Sequence, residues 1–416
     1  MNRRNFLNWF SGGLAYLGRT VFPSIPYLAF AQDEQPKTDV LVVIFQRGGM
    51  DGLNAVVPYA EGSNYYDRRP SIAIPEPGSA NGAALDLDGK FGLHPALAAL
   101  QEIYQEGDLG IIHATGSIDS SRSHFNAMNF MERGIPGNKI ISTGWINRHL
   151  QSMDSSNNSP FRAIGMGSMV QASLQGSVSA LALQSISDFH LSARSEQLPI
   201  FQRTLAQLYN APKPKTLLEH NAKITLKTLN YLQRLADTSY TPSGNAEYPN
   251  TNYGHGLRQV AQLIKEDVGL EVACIDIGGW DTHSDQGGSN GRFSNSLAEL
   301  GNGLGAFYTD LQEQMKRVTV VTMSEFGRRV TENASAGTDH GHGNVMFTLG
   351  GGIKGGVYSR WPGLASDALD RGDLAVTTDY RDVLSEILEK RLANNSLDEI
   401  FPAYKAEYLN FVKARE

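Results

Sequence analysis

Acidic residues and histidines follow three apolar runs of this sequence within a few positions. The candidate metal ligands in these clusters are Asp51, Asp281, His283, Glu325, Asp339, His340 and His342. Carboxylate oxygens and imidazole nitrogens together suit zinc, with manganese or calcium as alternatives. Because no thiolate accompanies them, a purely structural zinc site is not expected. The pattern therefore predicts a catalytic site for a divalent metal ion, as in a metal-dependent hydrolase.

The densest cluster, Thr338-Asp339-His340-Gly341-His342, leaves two options open. On an extended strand, His340 and His342 would share one side and Asp339 would face the other. A turn at Gly341 would break that alternation. We therefore expect one histidine to bind the metal and the other to support a ligand or contact the substrate.

A second candidate group is Ser120-Ser121-Arg122-Ser123-His124, between a predicted strand and a predicted helix. A serine there would lie at a helix N-terminus, whose free N–H groups favour an anion. Ser121 and Ser123 are candidate nucleophiles, although both could instead be ordinary N-caps. His124 is a candidate acid, a candidate ligand or a hydrogen-bonded core histidine, and Arg122 and Arg47 could hold an oxyanion bidentately.

Short β-branched runs alternate with helical segments, which predicts an α/β fold with a mostly parallel sheet between two helical layers. The predicted strands are Asp39–Phe45, Leu109–His113, Val272–Ile277, Val318–Met323 and Val345–Leu349. Ligands of open α/β sheets bind outside the carboxyl ends of the strands. Asp51, Asp281 and Glu325 each follow one of these strands, so the fold is expected to gather them at one edge.

Between residues 138 and 253 the composition changes to Ser, Asn and Gln, with two helical segments and a Pro/Gly/Asn loop. We expect this range to form an insertion, or cap, over the sheet within one domain at 32–416. The chain has one cysteine, Cys274, so no intrachain disulfide can form.

Residues 1–31 have the features of a twin-arginine signal peptide: Arg3-Arg4, a weakly apolar stretch and Ala29-Phe30-Ala31. Gly, Ser, Pro and Arg19 make the stretch too polar for a stable membrane span. Its removal would take away three arginines and no acidic residue, changing the formal net charge from −7 to −10. That charge argues against nucleic acid as a partner. Export by the twin-arginine machinery to the periplasm or the cell exterior is expected.

Six motifs, in this order, resemble the DUF1501 family of exported bacterial proteins: RGGMDGLN, SRSHF, GGWDTH, MSEFGRRVTEN, GTDHGHG and LGGGIKGG. That family is similar to the alkaline phosphatase and sulfatase superfamily, which implies a bimetal site at the strand ends. The resemblance implies that Asp51 is a metal ligand and that the nucleophile lies near Ser121 to Ser123. It further implies that Asp281 and His283 bind one metal together with His340 or His342.

One departure from the superfamily lies after Val318–Met323, where Glu325-Phe326-Gly327 replaces Asp-His-Gly. A ligand histidine is thus replaced by Phe326.

The leading hypothesis is an exported metal-dependent hydrolase of small-molecule or glycan phosphate or sulfate esters, using a metal-activated serine or water. The alternative is a non-catalytic module on a degenerate hydrolase fold that binds surface glycans or a protein. In that case, the exposed aromatic side chains that stack on a glycan are expected to be Tyr65, Tyr66, Tyr240, Tyr248 and Tyr253.

Overall fold

The computed structural model describes residues 39–153, 157–186 and 239–415, with short stretches between 197 and 236. The predicted signal at 1–31 and most of the helical segments predicted at 194–209 and 215–236 lie outside the described residues. Residues from 38 onward form one compact unit. No helix within the described ranges is both long enough and apolar enough to span a bilayer.

Nine described strands form the central sheet, and three short ones form a separate small sheet. The strands are β1 (Val40–Gln46), β2 (Val56–Val57), β3 (Leu85–Asp86), β4 (Gly92–Leu93), β5 (Leu109–Gly116), β6 (Ala163–Met166), β7 (Leu181–Leu183), β8 (Val272–Ile277), β9 (Val318–Met323), β10 (Asn344–Gly350), β11 (Gly356–Tyr358) and β12 (Thr378–Asp379). The central order is β11-β5-β10-β9-β1-β8-β6-β7, with β12 also paired to β5, while β2, β4 and β3 form the small sheet.

Strand direction brings the functional loops to one edge. β1 is parallel to β8 and β9, whereas β10 is antiparallel to both β9 and β5. The carboxyl ends of β1, β5, β8 and β9 therefore share an edge with the amino end of β10. As a result, residues that precede β10 lie beside residues that follow the other four strands.

Helices cover both faces of the sheet. Those whose two ends lie in the described ranges are α1 (Gly52–Ala55), α2 (Ser63–Tyr66), α3 (Ala98–Gln105), α4 (His124–Arg133), α5 (Trp145–Ser152), α6 (Asn252–Lys265), α7 (Arg292–Leu311), α8 (Tyr380–Lys390) and α9 (Leu397–Ile400). Alternate residues of β1 enter different cores: Val42 and Ile44 pack with α3, α6 and α7, whereas Val43 and Phe45 pack with α5 and α8. The predicted three-layer α/β/α fold is confirmed.

Part of the range expected to form a cap belongs to the sheet itself. β6 pairs in parallel with β8, and β7 continues the sheet beyond β6. These strands have four and three residues, and Ser, Gln and Gly surround them, so they lack the long β-branched run that marks the other strands. The expected insertion at 138–253 is therefore corrected for this part. Much of 187–238 lies outside the described residues.

Candidate metal centre

Four loops meet at the shared edge of the sheet and contribute the candidate residues: those after β1, β5 and β8, and the one that joins β9 to β10. The loop after β1 contains Gly48 and Gly49, and its backbone packs against the loops after β8 and β9. Gly48 has φ +125°, and a Cβ there would lie 2.8 Å from the backbone nitrogen of Asp281. Only glycine allows both that conformation and that approach. Gly48 N–H also donates to Glu325 Oε1 at 2.8 Å.

His124, the first residue of α4, is oriented by Glu325. Its Nδ1 lies 2.6 Å from Glu325 Oε1, which is buried at the end of β9. Since a carboxylate only accepts, Nδ1 carries a proton, and in the neutral form of the ring Nε2 presents a lone pair. The same hydrogen bond raises the pKa of His124. Glu325 also accepts from Gly48 N–H and the Ser324 hydroxyl, so both of its oxygens are engaged behind the histidine.

Two more histidines are oriented in the same way. His283 Nδ1 donates to Asp339 Oδ1 at 2.9 Å, and this bond lowers the pKa of Asp339. His340 Nδ1 donates to the backbone carbonyl of Arg122 at 2.8 Å. Each neutral imidazole is thus fixed as the tautomer whose Nε2 is free to bind a metal.

All three Nε2 atoms face the carboxylate of Asp281. His283 Nε2 and His340 Nε2 lie 3.1 and 3.3 Å from Asp281 Oδ1, and they are 3.0 Å from each other. His124 Nε2 lies 3.6 Å from Asp281 Oδ2 and has no hydrogen-bond partner although it is buried. Two imine nitrogens 3.0 Å apart, both with lone pairs, need a cation between them or a proton on one of them.

The spacing of these donors fits a small divalent ion. Ligand atoms of His124, Asp281 and His340 all lie within 4.8 Å of one another. The three distances among His283, His340 and Asp281 are 3.0, 3.1 and 3.3 Å. Ligands of a tetrahedral zinc ion with Zn–N bonds of about 2.0–2.1 Å lie ~3.3 Å apart. The donor set of nitrogen and carboxylate oxygen is also one that zinc accepts.

Arg328 brings a buried positive charge to this group and was not singled out from the sequence. Its guanidinium donates to four backbone carbonyls and, at 2.7 Å, to Asp281 Oδ1. Burial acts to raise the pKa of Asp281, but the Arg328 hydrogen bond and charge outweigh it and hold that pKa below its usual range. The Arg-Arg pair after Glu-Phe-Gly was the available signal.

Asp51 lies apart from the histidines. It is fully buried, and its Oδ2 accepts from Arg69 at 2.5 Å and from Gln286 at 2.6 Å. Its Oδ1 is buried without a hydrogen-bond partner. Arg69 and Gln286 are distant in sequence from Asp51, and nothing in their local pattern marks them as its partners. The described residues gather one group of metal donors, where the resemblance implies two.

The two late histidines have different surroundings. His340 faces Asp281, whereas His342 has Nδ1 3.1 Å from Asp370 and Nε2 2.8 Å from the Ser117 carbonyl. Both ring nitrogens of His342 are thus engaged. A Cβ at Gly341 would come within 2.3 Å of the Arg328 backbone, so the segment between the two histidines packs closely against the start of the same loop.

The segment Ser120–His124, called the serine loop below, lies beside the metal donors, since its Arg122 carbonyl accepts the hydrogen bond from His340. Ser121 accepts from Ser123 N–H at 3.3 Å, and Ser123 precedes α4 without making a side-chain cap. Arg122 pairs with the buried carboxylate of Asp373. Ser121 and Ser123 are therefore both close in sequence and structure to His124.

Arg47 and Phe326 contribute in other ways than the sequence predicted. Arg47 forms ion pairs with Glu132 at 3.1 Å and Asp276 at 2.9 Å, so this predicted oxyanion ligand already holds two carboxylates. Phe326 is buried, and its ring centroid lies 4.9 Å from that of His124 and 4.7 Å from that of His340. The residue that replaces a ligand histidine packs against two other imidazoles.

The chain belongs to the DUF1501 family, since the family profile described as "Protein of unknown function (DUF1501)" matches residues 38–395. A comparison with curated proteins finds no match.

Several solved structures share features of the fold at low identity. The lipoteichoic acid synthase LtaP from Listeria monocytogenes is 7% identical, with a TM-score of 0.35 over 81% of this chain and 74% of that one. An alkaline phosphatase from the Antarctic bacterium TAB5 is 11% identical, with a TM-score of 0.32 over 78% and 95%. The C-terminal periplasmic domain of EcEptC from Escherichia coli is 10% identical, with a TM-score of 0.39 over 90% and 89%. Because identity and TM-score are both low, the assignment of a function depends on the site.

Proposed function

We propose that this protein is an exported hydrolase of phosphate or sulfate esters that uses one divalent metal ion. The observation that carries the proposal is the convergence of the Nε2 atoms of His124, His283 and His340 on Asp281. Each of these imidazoles has its other nitrogen bonded to an oxygen acceptor, an arrangement typical of histidines that bind metals. A nitrogen-rich donor set favours zinc over calcium or manganese.

A single ion is proposed because the described residues gather one group of metal donors, around Asp281. Asp51, which the resemblance also assigns to a metal, already forms a fully buried ion pair with Arg69. A cation beside Asp51 would meet the repulsion of that buried guanidinium. Arg328 is fully buried and holds Asp281 in place by donating to its Oδ1.

When bound, the metal would act as a Lewis acid toward the ester and lower the pKa of an attacking hydroxyl group. The serine loop is the proposed source of the nucleophile, with Ser123 and Ser121 as the two candidates. Ser123 is exposed and precedes His124 directly. The first turn of α4 offers N–H groups that favour the negative charge of the bound ester.

Location outside the cytoplasm is part of the proposal and depends on residues 1–31. Replacement of Arg3 and Arg4 by lysine should retain the protein in the cytoplasm if export uses the twin-arginine machinery. Cell fractionation and immunodetection measure this outcome. Unchanged export of the double variant would contradict this part of the proposal and leave the metal site unaffected.

The glycan-binding alternative lacks its expected surface. Tyr65 and Tyr253 are buried, and the hydroxyl groups of Tyr240 and Tyr248 both donate to the buried Asp310. Tyr66 is half-buried, so none of the five predicted tyrosines is exposed, and they do not form a stacking platform. Hydrolysis is therefore the function that the site supports best.

The direct test is turnover of a panel of aryl phosphates and aryl sulfates by protein exported natively. We expect hydrolysis of at least one ester, loss of activity after chelation, and its recovery on addition of zinc. Asp281→Ala should abolish turnover, while His255→Ala should not, because His255 is exposed and bonded to Asn250. No turnover of any ester by zinc-loaded protein would refute the proposed activity.

A further inference from the structure

Three arginines stand at the border of the candidate metal centre. We call Arg122, Arg329 and Arg371 the arginine rim. Arg122 Nη2 pairs with Asp373 Oδ2, and Arg329 Nε lies 3.9 Å from Asp373 Oδ1. Asp373 is almost completely buried, so one fixed carboxylate holds two guanidinium groups near each other.

The rim is connected directly to the metal donors through the backbone. Arg122 O accepts the hydrogen bond from His340 Nδ1. Arg329 follows Arg328, and its N–H donates to Asp339 O. The loop that carries Arg371 pairs with the same segment, because Arg329 and Asp373 form a β-bridge.

The rim arginines have few direct ion-pair partners. Arg122 and Arg329 share the single carboxylate of Asp373, and Asp370 lies 3.2 Å from Arg371. Asp339 adds a longer-range interaction with Arg329. Arg122 and Arg329 are about one-third exposed, and Arg371 is two-thirds exposed.

Donor capacity also remains. A guanidinium has five N–H donors in a planar arrangement that matches phosphate and sulfate oxygens. Among the described residues, each rim arginine makes one side-chain hydrogen bond. The exposed guanidinium groups therefore keep N–H donors that a bound anion could use.

We propose that the arginine rim binds a second anionic group of the substrate, next to the ester that the metal centre binds. The preferred substrate is then a polyanion, such as a molecule with several phosphate or sulfate groups. This inference rests on the proposed function for the scissile ester, but binding of the anion by the rim does not require the metal.

The test uses the full exported chain after chelator treatment, with inorganic phosphate as the probe in titration calorimetry. Arg329→Gln should weaken phosphate binding about tenfold, as expected when one charge-assisted contact is lost. Arg329→Lys should recover part of the affinity, because a lysine keeps the charge but not the planar donors. Arg360→Gln is the matched control, since Arg360 is similarly exposed and pairs with Glu407 away from the rim.

A second arm compares a sugar bisphosphate with the corresponding monophosphate on the zinc-loaded protein. Wild type should prefer the bisphosphate, and Arg329→Gln should lose that preference while its melting temperature stays close to that of the control. If Arg329→Gln and Arg371→Gln both kept the wild-type affinity for phosphate, the proposal that the arginine rim binds an anion would be overturned. A protein that binds no metal but shows arginine-dependent phosphate binding would refute the proposed hydrolase and leave the rim supported.

Discussion

At the scale of single residues, the candidate centre depends on proton placement. Glu325, Asp339 and the carbonyl of Arg122 each accept a hydrogen bond from Nδ1 of one imidazole, so the lone pair of the neutral ring lies on the opposite nitrogen. Ligand orientation is thus set by partners that need not touch the metal. Such partners govern the affinity of a metal site almost as strongly as the ligands do.

Asp281→Ala and His283→Ala should each lower the amount of bound metal, because each removes a donor from the group around Asp281. His255→Ala should leave it unchanged. Elemental analysis of the three variants, purified side by side without chelator, measures the effect. Equal metal content in all three would contradict the assignment of ligands.

Glu325→Gln should weaken metal binding by about 10- to 100-fold, the usual cost of losing a carboxylate partner of a ligand histidine. The amide keeps the size and an acceptor oxygen but removes the charge next to His124. Competition with a fluorescent chelator measures the affinity. If the variant kept wild-type affinity, the orienting role of Glu325 would be refuted.

At the scale of elements, short loops at the ends of packed strands position the site. Gly48 allows the turn after β1 to touch the backbone of Asp281, which follows β8. The parallel register of β1 with β8 and β9 then determines which loops meet. A small backbone change at this turn should therefore affect both stability and metal binding.

Gly48→Ala should destabilise the protein by about 3 kcal/mol, since the new Cβ would overlap Asp281 N and φ is +125°. Gly89→Ala is the matched control, because Gly89 also has a positive φ, +79°, but its Cβ would meet open space. It should cost only about 1 kcal/mol. Urea unfolding compares the two, and equal losses would show that close approach at Gly48 is unimportant.

Sequence patterns predicted the long elements better than the short ones. The buried runs at Val40–Gln46 and Val318–Met323 mark strands clearly, because apolar β-branched residues fill both faces. β6 and β7 are short, and their pairing depends on β8, which is distant in sequence. Their place in the sheet therefore could not be predicted from local composition.

The sequence motifs predicted four of the residues that the structure brings together at the candidate centre. They are His124, Asp281, His283 and His340. The contacts of Glu325, Asp51 and Arg328 required the tertiary structure. Each of these residues is buried against partners far away in the chain. Residue type and spacing indicate which groups can bind a metal, but not which of them are already neutralised.

At the scale of the whole molecule, several histidines are buried as neutral groups apart from the candidate centre. Burial lowers the pKa of His113 to about 4 and that of His149 to about 3. His113 Nε2 lies 3.0 Å from the Val56 carbonyl, and His149 bonds with Asn394. These side chains contribute to the two cores, so their protonation is linked to unfolding.

The free energy of unfolding should decrease as the pH falls below about 6.5, because these histidines bind protons in the unfolded chain but stay neutral in the folded chain. Each such histidine lowers the free energy of unfolding by about 1.4 kcal/mol for each pH unit of acidification, until the pH reaches its pKa in the folded protein. Urea unfolding from pH 7 to pH 4.5 measures the slope. His149→Gln should reduce it, and an identical slope in that variant would contradict the role of His149.

The most direct test of the central claim is the metal content of the protein, expressed with residues 1–31 in place and purified without chelator. Elemental mass spectrometry should find about one equivalent of a divalent ion per chain, with zinc expected from the nitrogen-rich donors. One equivalent that falls in Asp281→Ala is the predicted result. A folded protein with no bound metal, or with two equivalents, would contradict the single-ion site.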